Sequence, residues 1–264
     1  VLADDTIYEN GYVLVDDSGI ITCTGCDCAT VPTAAAAAKI SCADAVLSPG
    51  LINAHEHITF STLTPSPTDE RYDHRHDWRK GIRGHTRISS PSNNSTEALL
   101  FVELRNLLTG TTSMAGSGGT NGFVRNLDRT ANLEGLSGVD VEYDTFPLGD
   151  SDGGLISTGC AYPSIAPVSS LDSGIYMPHV SEGIDAEARN EYLCLSGGSG
   201  KDLIEANTAI VHGVGLNADD IADIAANGAK LIWSPRSNVS LYGMTARIPL
   251  FRRFGVTIAM GTDW

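Results

Sequence analysis

From residue 50 onward the chain alternates short apolar strand segments with helical ones, and this alternation constrains the fold more than any other feature. Strands are expected near 51–57, 111–115, 122–126, 139–146, 174–180, 208–213, 229–234 and 256–262. Between them, "STEALLFVELRNLLTG" offers Ser95 or Thr96 as a helix cap and Gly110 as its terminator. "NADDIADIAANG" offers Asn217 as cap, acids in the first turn and Gly228 as stop. "DAEARNEYLCL" and "MTARIPLFRRFG" are further helical segments, the second interrupted by Pro249. Repeated β–α units with buried strands imply an α/β protein with a parallel sheet, and eight of them imply a closed (β/α)8 barrel of the TIM type. Residues 1–47 read differently. There, "GYVLVDDSGIITCTG" is a hairpin, two apolar runs broken by Asp-Asp-Ser-Gly. The expected organisation is a small β-strand domain over 1–47 and a barrel over 48–264.

Within 264 residues at 42% apolar content a full core can form, and no apolar run is long enough to span a membrane. The formal charge of −15 argues against nucleic acid as a partner, because phosphates call for basic surfaces. Six cysteines fall at 23, 26, 28, 42, 160 and 194. Their even number and clustering suit disulfides, with Cys160–Cys194 a natural pair for the two distant ones; free thiols or a metal cluster are the alternatives. Disulfides would place the chain in an extracytoplasmic setting (periplasmic, secreted or lipid-anchored), free thiols in the cytoplasm.

The first barrel strand ends in "PGLINAHEHITF". In a strand, residues i and i+2 share a face, so His55 and His57 point into one space while Glu56 turns away. Two neutral imidazoles converging in this way are natural ligands for zinc or iron. Other strand ends carry matching groups: "GIYMPHVSEG" ends in His179 with Glu182 three residues on, "AIVHGVG" in His212, and "VTIAMGTDW" in Asp263. Any one of these could be a hydrogen-bonded core residue. Together they put four of the chain's seven histidines and an aspartate at the same end of four strands, where such barrels place their chemistry.

The segments "LSPGLINAHEH", "HVSEG", "VHGVGL", "SPRSNVSLYG" and "MGTDW", in this order across 46–264, resemble the amidohydrolase superfamily. "IYENGYVLVDDSGIITCTG" is similar to the N-terminal β-sandwich portion of those enzymes. The branch most resembled is that of chlorohydrolases and aminohydrolases acting on nitrogen heterocycles, including cytosine, guanine and adenosyl-homocysteine deaminases. The resemblance implies one divalent metal, zinc first and iron second, held by His55, His57, His179 and Asp263. A mononuclear site is expected, because the fourth strand, "VDVEYDTF", lacks the lysine that bridges two metals in other members. It further implies Glu182 as proton shuttle, His212 as a partner of the substrate oxygen or an additional metal neighbour, and Asp263 as a proton acceptor as well as a ligand. The implied activity is hydrolysis of a non-peptide C–N bond in a small molecule, by deamination or by amide or ring opening. Dehalogenase-type displacement on the same site and a non-catalytic metal- or ligand-binding barrel are the alternatives.

The loop after the first strand holds "RYDHRHDWRKGIRGHTR". Arg71, Arg75, Arg79, Arg83 and Arg87 recur every four residues and would line one face of a helix, although Gly81 and Gly84 weaken it. That face is either solvated and paired with Asp73 and Asp77, or part of a lid over the barrel mouth. In the lid reading Arg75, His76, Arg79 and His85 select a carboxylate or polar substrate. Asn238, after the seventh strand, either contacts the substrate or, with Ser237, shapes that strand's loop. His74 and His76 could also hold a second metal. Finally, the resembled enzymes continue beyond the equivalent of Trp264 with a helix and further sandwich strands. The expectation is therefore a longer polypeptide or a second chain completing the fold, with homo-oligomerisation open.

Overall fold

Strands of a parallel sheet are buried on both faces, which is why the apolar runs here are nearly continuous rather than alternating. The computed structural model describes residues 2–3, 6–62, 66–116, 120, 122–135, 141–172 and 174–264. The chain divides into two compact units, Val1–Leu51 and Ile52–Trp264.

The first unit contains β1 (Leu2–Ala3), β2 (Thr6–Ile7), β3 (Tyr12–Val15) and β4 (Ile21–Gly25). They pair as two antiparallel ribbons, β1 with β2 and β3 with β4. The expected hairpin forms: the Asp16 carboxylate accepts the N–H groups of Ser18 and Ile20, and Gly19 turns the chain at φ 79°. These two ribbons make up a small N-terminal sheet portion.

The second unit is built on β5 (Leu51–Asn53), β6 (Thr111–Met114), β7 (Arg125–Asn126), β8 (Val141–Asp144), β9 (Ile175–Val180), β10 (Ala209–His212), β11 (Lys230–Trp233) and β12 (Ile258–Met260). Each falls within one of the eight expected segments; residues 139 and 140 of the fourth lie outside the described residues. Five strands hydrogen-bond in the order β12-β11-β10-β9-β8, all parallel, and three in the order β5-β6-β7. The two groups join where the Ala54 N–H donates to the Met260 carbonyl and the Asp263 N–H to the His55 carbonyl, both at 2.9 Å. The result is a continuous curved array running from β7 through β5 and β12 to β8, a partial (β/α) barrel core.

Consecutive strand residues feed different cores. Tyr176, Ile210 and Leu231 pack outward with Ile221, Ile224 and Phe251, whereas Met177, Val211 and Ile232 pack with Ala115 in a separate cluster. The outer helices are α2 (Thr96–Leu108), α3 (Ala186–Leu195), α4 (Ala218–Ala226), α5 (Pro235–Tyr242) and α6 (Ile248–Arg253), with α1 (Arg75–Lys80) in the first loop. Ser95 and Asn217 cap α2 and α4 as expected, Asn217 within a full capping box. Two expectations change. Pro249 sits in the first turn of α6 and starts that helix instead of interrupting it, since a first-turn residue needs no N–H partner. "SPRSNVSLYG" contains a helix, α5, opened by Pro235 and closed by Gly243 at φ 66°.

Cys23–Cys28 and Cys160–Cys194 are bonded, and Cys26 and Cys42 are free and exposed. The second bond closes 34 residues and ties the segment before β9 to α3. Unfolded, unreduced protein is expected to titrate two thiols, those of Cys26 and Cys42. Titration of all six cysteines would remove both bonds from the fold.

A candidate metal and active site at the strand ends

His55 and His57 follow β5, His179 lies near the end of β9, His212 ends β10, and Asp263 follows β12. The structure brings all five together. His55 Nε2 is 3.0 Å and His57 Nε2 3.4 Å from Asp263 Oδ1. The imidazole of His55 lies 4.8 Å from those of His57 and His179 and 5.3 Å from that of His212, between ring centroids. Two triads, His55–His57–His179 and His55–His212–Asp263, each have their donor atoms within 4.8 Å of one another.

Main-chain pairing sets this convergence. The His57 N–H donates to the Asp263 carbonyl at 2.6 Å, and Glu56 and Asp263 form a parallel bridge. Glu56, turned away from the imidazoles, accepts from Ser61, Thr262 and Asn53 and so clamps the first strand end to the last. Gly261 permits the approach: a Cβ there would lie 2.6 Å from the His55 Cβ and 3.0 Å from its carbonyl oxygen. Ser181, His212 and Asp263 hold positive φ of 59°, 78° and 73°. Non-glycine residues adopt that region at a cost of roughly 1–3 kcal/mol each, and such strain clusters at functional sites.

Burial decides the charge of the ligand set. It pulls His57 down to about 4, helped by the neighbouring His55 imidazole, and His212 down to about 3. Burial, with three imidazoles around it, also holds His179 well below its usual value. Burial alone would raise the Asp263 carboxyl, but the imidazoles of His55, His212 and His57 outweigh it and keep the group ionised. Imidazoles beside one carboxylate are a donor set suited to zinc or iron. The buried Asp263 Oδ2 and His55 Nδ1 have no hydrogen-bond partner. An orphaned carboxylate oxygen of this kind is costly, and a divalent cation would satisfy it. The residues fit a metal.

Beside them, burial and the Asp263 carboxylate push the Glu182 carboxyl above the usual carboxylate range. Its Oε1 accepts from the Tyr242 hydroxyl at 2.7 Å, and its Oε2 lies 3.6 Å from His212 Nε2. The Asn238 amide donates to His212 Nδ1 at 3.1 Å, leaving Nε2 to face the site. Glu182 is also held through the main chain. The Arg75 N–H donates to its carbonyl, and the preceding Ser181 N–H donates to Glu191 Oε2 at 2.8 Å.

A cavity of about 720 Å³ opens over His57, His179, Glu182, His212 and Asp263. Of the residues expected to select substrate, Arg75 and Arg79 lie on its wall, whereas His76, His85 and Asn238 do not. His76 is buried with Nε2 2.7 Å from Asp150, His85 faces Glu70, and Asn238 is buried behind His212. The five-arginine helical face is absent. The helix spans only Arg75–Lys80, stopped by Gly81 at φ 69°, and Arg75 is 1% exposed between Asp150 and Glu191 rather than solvated. Sequence reasoning missed Tyr143, Tyr242 and Glu191. The hydroxyl-bearing Tyr143 on the fourth strand, where a lysine was sought, was the available signal.

Parallel strands with imidazoles, a carboxylate and a raised carboxyl at their C-terminal ends define a candidate metal site on a partial barrel core. No family model matches the chain. One 65-residue stretch is 42% identical to a 5-methylthioadenosine/S-adenosylhomocysteine deaminase of Haloquadratum walsbyi, covering 25% of this chain and 15% of that protein. Along its whole length the chain is 24% identical to the protein of the same name from Halobacterium salinarum, of which it spans 67%. The fold is similar to a zinc-bound adenosine deaminase from Xanthomonas campestris, with a TM-score of 0.56 at 15% identity over 98% of this chain and 65% of that one. In these likenesses, with the ligand cluster, the chain resembles the deaminases of the amidohydrolase superfamily.

Gly261→Ala is expected to force the first and last strand ends apart and to lower stability by about 1–3 kcal/mol, the usual cost of overpacking. The urea midpoint measures this. An unchanged midpoint would show that the site does not depend on the close approach.

Proposed function

We propose that the protein is a metal-dependent deaminase, replacing the exocyclic amine of a nitrogen heterocycle with oxygen and releasing ammonia. The observation that carries this reading is the raised, buried Glu182 carboxyl beside His212 and the ligand cluster. The names of the similar deaminases support an adenosine-like amine as substrate. The cavity is of the size that takes such molecules.

His55, His57, His179 and Asp263 would hold one divalent ion, zinc in first place and iron in second. When bound, it supplies Lewis acidity and lowers the pKa of water towards neutrality. Glu182 takes a proton from the attacking water and delivers it to the departing amine, a task that needs a carboxyl poised near the working pH. Tyr242 fixes Oε1 of that carboxyl and leaves Oε2 to move the proton. His212, oriented by Asn238, presents Nε2–H to the oxygen of the tetrahedral state. Arg79, stacked 4.2 Å over the Phe146 ring, with Lys80 and Arg87, gives the cavity a cationic wall suited to a carboxylate or other anionic group on the substrate.

Closure of the array between β7 and β8 into a full barrel belongs to the same reading. An extracytoplasmic location is supported by the two disulfides. Among the described residues no helix is long and apolar enough to cross a membrane.

The test is Glu182→Gln. Ammonia release from a panel of adenosine-like amines should fall by about 10²–10⁴-fold, the usual contribution of a positioned acid–base group, while bound metal stays at one per chain. Near-wild-type release would remove Glu182 from the chemistry.

A further inference from the structure

The loop helix α1 reaches Glu182 twice. Its first residue, Arg75, donates its N–H to the Glu182 carbonyl at 2.9 Å. Three residues on, and so on the same side of the helix, Trp78 reaches the carboxyl of Glu182 through Tyr242. Main-chain pairing holds this approach. His74 and Gly183 form an antiparallel bridge, and the Ile184 N–H donates to the Asp73 carbonyl at 2.7 Å.

The direction of the relay follows from its donors. An indole Nε1 carries a hydrogen and cannot accept, so Trp78 donates to the Tyr242 hydroxyl oxygen at 2.9 Å. The phenol has one hydrogen, which goes to Glu182 Oε1 at 2.7 Å. Both aromatic side chains are buried, Trp78 at 8% exposure and Tyr242 at 2%. A proton on Oε1 donated back to Tyr242 would leave the phenol hydrogen buried without an acceptor, which is costly. The indole fills the other side of the hydroxyl, where a smaller ring would admit a water able to take that hydrogen and reverse the bond. Oε1 is therefore kept an acceptor, and the proton that Glu182 carries sits on Oε2, 3.6 Å from His212 Nε2. Trp78 also lines the cavity, so a role as wall and a role in the relay have to be separated by experiment.

We infer that Trp78 is a positioning residue for the acid–base step, acting on Glu182 through Tyr242. The inference rests on the deaminase reading above. Ammonia release from the panel of adenosine-like amines, adenosine first, should be compared for the metal-loaded wild type, Trp78→Phe, Tyr242→Phe and the double variant. Trp78→Phe is expected to lower kcat about tenfold with KM little changed, the pattern of a lost transition-state interaction, and with one metal still bound per chain. The double variant should be no slower than Tyr242→Phe alone, within about twofold, because the two residues act in series. Losses that multiply in the double variant, or a raised KM with kcat unchanged, would make Trp78 only a wall and overturn the inference while leaving the deaminase reading standing. No ammonia from the wild type on any member of the panel would overturn both. The hydrogen bond is also read without substrate. The chain has three tryptophans, and Tyr242→Phe should move the Trp78 indole N–H resonance upfield and leave the other two in place. An unmoved resonance would overturn the relay, and this measurement covers a Trp78→Phe chain that fails to fold.

Discussion

The seam between the first and last strands of the array, residues 55–57 against 261–263, is the interaction on which the site depends. Three main-chain hydrogen bonds, Ala54 to Met260, Asp263 to His55 and His57 to Asp263, lock segments more than 200 residues apart. Thr262 adds side-chain bonds across the same seam, its hydroxyl donating to Glu56 and accepting from the Asn53 amide. The pairing sets two expected ligands next to a third, because the Asp263 carboxylate can reach both imidazoles only at this register. A one-residue slip of either strand would turn its ligands to the opposite face.

Burial then turns a geometric cluster into a chemical one. Removed from water, the imidazoles of His57, His179 and His212 stay neutral while the Asp263 carboxylate stays charged and keeps an unpartnered oxygen. A second cluster nearby shows the contrasting solution. His74, His76 and Glu191 also bring donor atoms within 4.8 Å of one another. There, however, Arg75 Nη2 lies 3.0 Å from Asp150 and 3.2 Å from Glu191, and His74 Nδ1 accepts the His76 N–H as a helix cap. The guanidinium is the cation of that cluster, and the network it holds together reaches the Ser181–Glu182 main chain. One cluster carries its own cation and serves as scaffold; the other calls for one from outside.

Much of this was legible in the sequence, because strand periodicity and ligand placement are local signals. Among the described residues, the eight strands of the partial barrel core lie where apolar runs were found, and His55, His57, His179, His212 and Asp263 meet because each stands at a strand's C-terminal end. What was not legible depends on contacts remote in sequence. The four-residue spacing of Arg71 to Arg87 mimics a helical face, but Gly81 ends the helix after six residues and Asp150 and Glu191 draw Arg75 inward. The bond from the Asn238 amide to His212 joins two residues 26 apart in the chain, and no local pattern announces it. Tyr242 and Glu191 gave no sign of their part in holding Glu182, because each reaches it from another element of the fold.

The central claim is that the buried imidazoles and Asp263 form a binding site for one divalent ion. The most direct test is an anomalous difference map, collected above the zinc edge, from crystals grown with zinc and without chelator. The account predicts a single strong peak within bonding distance of His55, His57, His179 and Asp263. Its absence there, or a peak at His74 and His76 instead, would contradict it.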